Sequence, residues 1–258
     1  MPESVINGYK MHYLDRGEGT AIVFIHPPVL TSTNFQYQIQ QLSAHFRTVA
    51  FDIRGHGHSE PSRESITYPL IVEDIRKLLD ELKIERAFLC GYSTGGSIVL
   101  EFLLSYPDRA LGGIVVGGMS EVSDRKLRRR IFLASVLSRV GAAGALALTI
   151  AWNQARTKVA LARRLYNDAR QGSSKNAKQY YQYSLNYNCT AQLKRISHPV
   201  LLVYGERDKK FYRYARMLHE QLPNNELVLI EKVSHQIPTK AAKKLNGLIQ
   251  RFIERCSK

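Results

Sequence analysis

The sequence predicts an α/β fold, a mostly parallel sheet covered by helices on both faces and interrupted by a helical insertion. Three observations carry this expectation. Apolar runs of strand length alternate with segments of helical periodicity, the pattern of strands buried on both faces. The alternation stops after position 118 and resumes at 199. The pentapeptide Gly-Tyr-Ser-Thr-Gly at 91–95 joins one apolar run to one helical segment.

Taken in order, residues 7–17 alternate as one strand of a hairpin ending at a turn, and 20–26 form a continuous apolar strand that His26-Pro27-Pro28 must end. Residues 34–46 show helical spacing in Phe35, Ile39, Leu42 and Phe46, and 48–53 read as a second buried strand. A glycine-rich loop with His56 and His58 follows. Residues 68–84 place Ile71, Ile75, Leu78, Leu79 and Leu82 on one side of a helix. The strand at 86–90 leads through Ser93 into a dense apolar helix at 97–104, and 111–118 is a further strand. After the insertion come a strand at 199–205, a helix around 212–222, a strand at 226–230 and a closing helix from 239 to 255. The expected division is a core of 1–118 plus 191–258 and a cap of 119–190.

A chain of 258 residues, 44% hydrophobic, suffices for one large core. No secretory signal or transmembrane run is legible, so a cytoplasmic location is the default expectation. Cys90, Cys189 and Cys256 are too few and too scattered for a disulfide framework or a metal site. The formal charge of +15 is concentrated: residues 119–198 hold 15 Lys and Arg against Glu121, Asp124 and Asp168. A nucleic-acid function is not expected, because the basic run 125–130 has no interleaved aromatics. That run reads first as a solvated helix face, with an anionic membrane surface or acidic substrates as further partners.

A serine between glycines at a strand-to-helix turn has its Oγ lifted clear of the sheet. Its partners should lie at the carboxyl ends of other strands. Asp208 follows the strand at 199–205, and His235 follows the strand ending at Ile230, in the chain order Ser, Asp, His. Glu206 is the competing acid, and Asp124 a further one. His56 and His58 read as loop histidines without a completed metal site.

Ser93 in Gly-Tyr-Ser-Thr-Gly-Gly, Asp208 in Gly-Glu-Arg-Asp, His235 before the last helix and Asp-Ile-Arg-Gly-His-Gly-His-Ser at 52–59 together resemble the α/β-hydrolase superfamily. The resemblance implies the α/β-hydrolase fold with a helical cap before the last strands, and a serine hydrolase acting on a small-molecule ester without metal or organic cofactor. Ser93 would be the nucleophile, His235 the general base and Asp208 the group that orients it. Asp52 and Arg54 match the superfamily's structural turn. The N–H of Thr94 would be one oxyanion donor. The second donor position is Pro28, which has no N–H, leaving Val29 N–H or the hydroxyls of Thr31 or Ser32. The apolar stretch 131–152 should line the pocket above Ser93, with Trp152, Tyr180 and Tyr183 assigned to its walls and Tyr181 and Tyr187 also available. Each aromatic has the alternative of stitching the cap to the core. An ester hydrolase is the expected activity. Lactone, thioester or C–C bond hydrolysis, or a non-enzymatic ligand-binding role, are the alternatives. Haloalkane dehalogenases and epoxide hydrolases of the superfamily carry Asp where Ser93 stands.

Overall fold

The computed structural model describes residues 3–139, 143–155 and 158–256. Eight strands make one sheet: β1 (Glu3–Ile6), β2 (Tyr9–Arg16), β3 (Ala21–Ile25), β4 (Arg47–Phe51), β5 (Ala87–Tyr92), β6 (Ala110–Val116), β7 (Val200–Gly205) and β8 (Asn225–Ile230), in the spatial order β1-β2-β4-β3-β5-β6-β7-β8. β1 and β2 form an antiparallel hairpin through Asn7 and Gly8, both at positive φ, the two-residue turn that Asn-Gly favours. β2 pairs antiparallel with β4, and every later pairing is parallel.

Parallel strands need crossover helices, which cover both faces. The helices α1 (Gln36–Leu42), α2 (Tyr68–Glu81), α3 (Thr94–Ser105), α8 (Tyr212–Gln221), α9 (Ile237–Lys240) and α10 (Ala242–Cys256) do so. α10 buries Leu245, Ile249, Phe252 and Ile253, the spacing of one helix face. Phe24 and Phe88 pack on that side, while Val23 and Leu89 pack with Ile98 and Phe102 of α3 on the other. Each such fully buried side chain stabilises the fold by roughly 1.5–3 kcal/mol. The chain runs from β3 to β4 on one side and returns to β5 on the other. The crevice at the carboxyl ends of β3 and β5 is therefore the switch point at which open α/β sheets place their sites.

Two helices differ from the sequence expectation. The segment at 34–46 opens with a tight turn, Ser32–Phe35, and only Gln36–Leu42 is α-helical. The closing helix breaks at Ala241: the Thr239 hydroxyl donates to the Gln154 carbonyl at 2.7 Å, holding α9 against the insertion before α10 begins.

Between β6 and β7 lie α4 (Arg125–Arg139), α5 (Ala143–Ala155), α6 (Val159–Gln171) and α7 (Ser174–Asn186). The segment leaves and rejoins the sheet at a narrow neck where Glu121 bridges Asn188 and the Cys189 N–H donates to the Ser120 carbonyl at 3.0 Å. It is seated over the strand ends by Tyr180, whose hydroxyl donates to the His26 carbonyl at 3.0 Å, and by Gln154, whose amide donates to the Tyr92 hydroxyl at 3.1 Å. No helix among the described residues is long and apolar enough to cross a membrane.

Candidate active site

Ser93 stands at the end of β5 with φ 55° and ψ −119°, a left-handed conformation that a side-chain-bearing residue adopts only when its surroundings enforce it. Its N–H donates to the Val116 carbonyl at 2.8 Å, and its carbonyl accepts from the Gly96 N–H at 2.9 Å. The flanking glycines are steric necessities. A Cβ on Gly91 would lie 2.1 Å from the Gly95 carbonyl oxygen, and one on Gly95 would lie 2.2 Å from the Ile25 carbonyl oxygen.

The turn aims Ser93 at His235. The Ser93 hydroxyl lies 3.0 Å from His235 Nε2, and His235 Nδ1 lies 2.7 Å from Asp208 Oδ2. A carboxylate can only accept, so Nδ1 carries the proton and Nε2 is left to accept from the serine. Phe211 stacks on the imidazole at 4.2 Å between ring centroids, and Tyr92 contacts it at 5.2 Å.

The competing acids are engaged elsewhere. Glu206 is exposed, and its carboxylate accepts the Lys232 N–H at 2.9 Å. Asp124 caps α4 by accepting the Leu127 N–H at 2.7 Å.

A cavity of about 470 Å³ opens above Ser93. Its floor includes Pro27, Pro28, Leu30, Thr94 and Phe211. Its walls come from the insertion: Ile131, Leu133, Ala134, Leu137, Leu146 and Ile150 supply apolar surface, and Arg130, Thr149, Asn153 and Gln154 supply polar groups. Of the expected stretch 131–152, residues at 131–137 and 146–150 line this space, and 140–142 lie outside the described residues. The aromatic assignments need correction. Trp152 is half exposed on α5, Tyr180 is fully buried edge-on to Tyr68 and His56, and Tyr183 packs on Tyr68 and Tyr187. None of the three lines the cavity, whereas Tyr181 does. Consecutive helical residues point about 100° apart, so the phase of α7 separates Tyr181 from Tyr180.

Val29, expected to supply the second oxyanion donor through its N–H, follows Pro28 in the loop after β3. It turns through φ 70°, an outlier for a β-branched residue, and lines a separate cavity of about 190 Å³ beneath the insertion. Leu30 lines the Ser93 cavity. Thr31 and Ser32 do not line it, and the Ser32 N–H is taken by Asp52 at 2.8 Å. The N–H groups of Val29, Leu30 and Thr94 have no acceptor among the described residues.

Polar groups below the cavity brace its loops. His26 is wholly buried, with Nδ1 2.9 Å from the Pro27 carbonyl and Nε2 accepting the Ile53 N–H at 2.9 Å, and burial lowers its pKa. Burial likewise drives His56 down to about 3, with His26 nearby adding to the effect. Burial would raise the Asp52 carboxyl, but hydrogen bonds from His12 and from the N–H groups of His58 and Ser32, with the field of His26, bring it to about 2. His12 is part of this brace at 3.1 Å from Asp52. Arg54 makes a buried two-pronged contact with Asp74 at 2.5 and 2.7 Å. Cys90 is buried in the sheet, and Cys189 is pushed up to about 12 by burial.

The family model described as alpha/beta hydrolase fold matches residues 20–238. The chain belongs to this family. The alpha/beta hydrolase is 26% identical over 259 residues to the serine hydrolase BPHL of Homo sapiens, covering 96% of this chain and 84% of the relative. Its fold is shared with the enol-lactonase from Burkholderia xenovorans LB400, at a TM-score of 0.88 and 21% identity over 98% of this chain and 100% of the other. An esterase from Exiguobacterium antarcticum superimposes equally well, at a TM-score of 0.88 and 19% identity over 98% of both chains.

Proposed function

We propose that this alpha/beta hydrolase cleaves carboxylic esters of small or medium, largely apolar substrates through an acyl-enzyme on Ser93. The observation that carries the reading is the 3.0 Å contact between Ser93 Oγ and His235 Nε2 on the floor of a mainly apolar cavity. In this reading the Ser93 oxygen attacks the ester carbonyl while its proton passes to Nε2, and Asp208 stabilises the imidazolium formed. The tetrahedral oxyanion takes hydrogen bonds from the Thr94 N–H and from the Leu30 N–H, which replaces the donor missing at Pro28. Collapse breaks the ester C–O bond, and the departing alcohol takes the proton from Nε2. Water, deprotonated by the same nitrogen, then attacks the acyl carbonyl and releases the acid and free Ser93.

Lactones and thioesters also pass through an acyl-enzyme on the serine and differ from esters in leaving group and in how they fill the cavity. The discriminating experiment treats wild type and Ser93→Ala with a fluorophosphonate probe and a panel of p-nitrophenyl esters, lactones and acyl thioesters. Labelling and turnover confined to the wild type are expected. A wild type that neither labels nor exceeds the Ser93→Ala protein would leave a ligand-binding role.

A further inference from the structure

Among the described residues eight large hydrophobic side chains are exposed, and six of them sit on three consecutive helices of the insertion: Phe132, Leu133 and Val136 on α4, Leu148 and Trp152 on α5, and Val159 on α6. Single exposed hydrophobics are ordinary, but six on three consecutive helices are a concentration, with Phe132 60% and Trp152 49% exposed. On α4, Arg125, Arg129, Phe132 and Val136 recur at intervals of four, three and four residues, one stripe that begins basic and ends apolar. Two points of this surface reach the mouth of the Ser93 cavity: Leu133 lines it, and so does Asn153 beside Trp152.

The charge on these helices is almost entirely basic. The four helices carry a single acid, Asp168, which is held by the Thr33 hydroxyl and faces His58. Arg125, Lys126, Arg129 and Arg130 are exposed, and none makes a salt bridge among the described residues.

We propose that this face of the insertion docks on an anionic lipid surface, with the arginines among the headgroups, Phe132, Leu148 and Trp152 at the acyl boundary, and the cavity mouth turned toward the bilayer. Basic and apolar groups mixed on one face suit the interface, where headgroup attraction and shallow insertion add. A second copy is a poor occupant, because two-fold pairing would set these arginines against each other. A water-soluble polyanion would satisfy the arginines but leave the apolar stripe in water. Docking itself is independent of the esterase reading. Its use, admitting apolar esters directly from the lipid phase, rests on that reading.

Trp152 is the protein's only tryptophan, so its emission reports insertion without ambiguity. The test adds phosphatidylcholine vesicles, with or without phosphatidylglycerol, to the full chain, and reads Trp152 emission and co-sedimentation. A shift to shorter wavelength and co-sedimentation with the phosphatidylglycerol vesicles only, both reversed by salt, are expected. Arg125→Ala with Arg129→Ala should weaken partition about thirtyfold, while turnover of a soluble p-nitrophenyl ester is unchanged. Phe132→Ser should reduce partition with its charge intact. Binding to neither vesicle, binding with unchanged Trp152 emission, or a protein that dimerises through this face would each overturn the proposal.

Discussion

The Phe211 ring lies against the His235 imidazole, 4.2 Å between centroids and tilted by 30°, and the Phe211 N–H donates to the Asp208 carbonyl at 2.8 Å. One residue thus touches both the ring that contacts the Ser93 hydroxyl and the backbone of the residue hydrogen-bonded to that ring. Stacking of this kind is worth about 1 kcal/mol. Phe211→Ala should lower kcat about fivefold to tenfold, and Phe211→Tyr should restore it. A variant with full kcat and only a raised KM would make Phe211 a cavity wall and nothing more.

Asp208 and Glu206 are two residues apart, and only Asp208 reaches His235. Asp208→Asn leaves the shape intact but offers the imidazole the wrong partner, so kcat should fall roughly a thousandfold or more. Glu206→Gln should stay within about twofold of wild type, as expected for an exposed surface group. Steady-state kinetics on one p-nitrophenyl ester separates the two, and the reverse order would transfer the acid role to Glu206.

Val29 holds φ 70°, where a Cβ is unfavourable. Both Val29→Ala and Val29→Gly lose buried apolar contacts, but only glycine relieves the backbone. Denaturant midpoints should therefore rank Val29→Gly above Val29→Ala by about 1 kcal/mol. The usual order, alanine above glycine, would show that the turn relaxes in the variants.

Stability should depend on pH in two stages. His56 titrates near 3 in the folded chain against about 6.5 when unburied, and His26 is shifted the same way. The unfolded chain therefore binds protons first, so this contribution is complete above about pH 6.5 and is lost as pH falls toward 3. Asp52, at about 2 in the folded chain, adds a contribution complete above about pH 4 and lost below it, on the order of 2 kcal/mol. Calorimetry should show Tm declining from about pH 6.5, before most carboxylates titrate, and then more steeply below about pH 4. His56→Phe should make the first stage shallower. A Tm constant down to about pH 5 would contradict the neutral buried histidines.

The sequence by itself determined the sheet, the turn at Ser93 and the order of Ser93, Asp208 and His235. These are legible because buried strands declare themselves as short apolar runs, because glycine is obligatory where Gly91 and Gly95 meet backbone oxygens, and because strand ends in such a sheet converge on one crevice. Asp208 over Glu206 was a matter of spacing in the sequence and a matter of reach in the structure. What only the tertiary structure decided are directions that local pattern does not encode. The rotation of α7 sends Tyr181 into the cavity while Tyr180 and Tyr183 stitch the insertion to the core, and Val29, at positive φ, lines a second cavity while Leu30 lines the one above Ser93. Trp152 moved furthest, from expected pocket wall to exposed surface. A helix whose residues are apolar on more than one side can turn any of them inward, and its phase is set by packing against the strand ends, not by its own sequence.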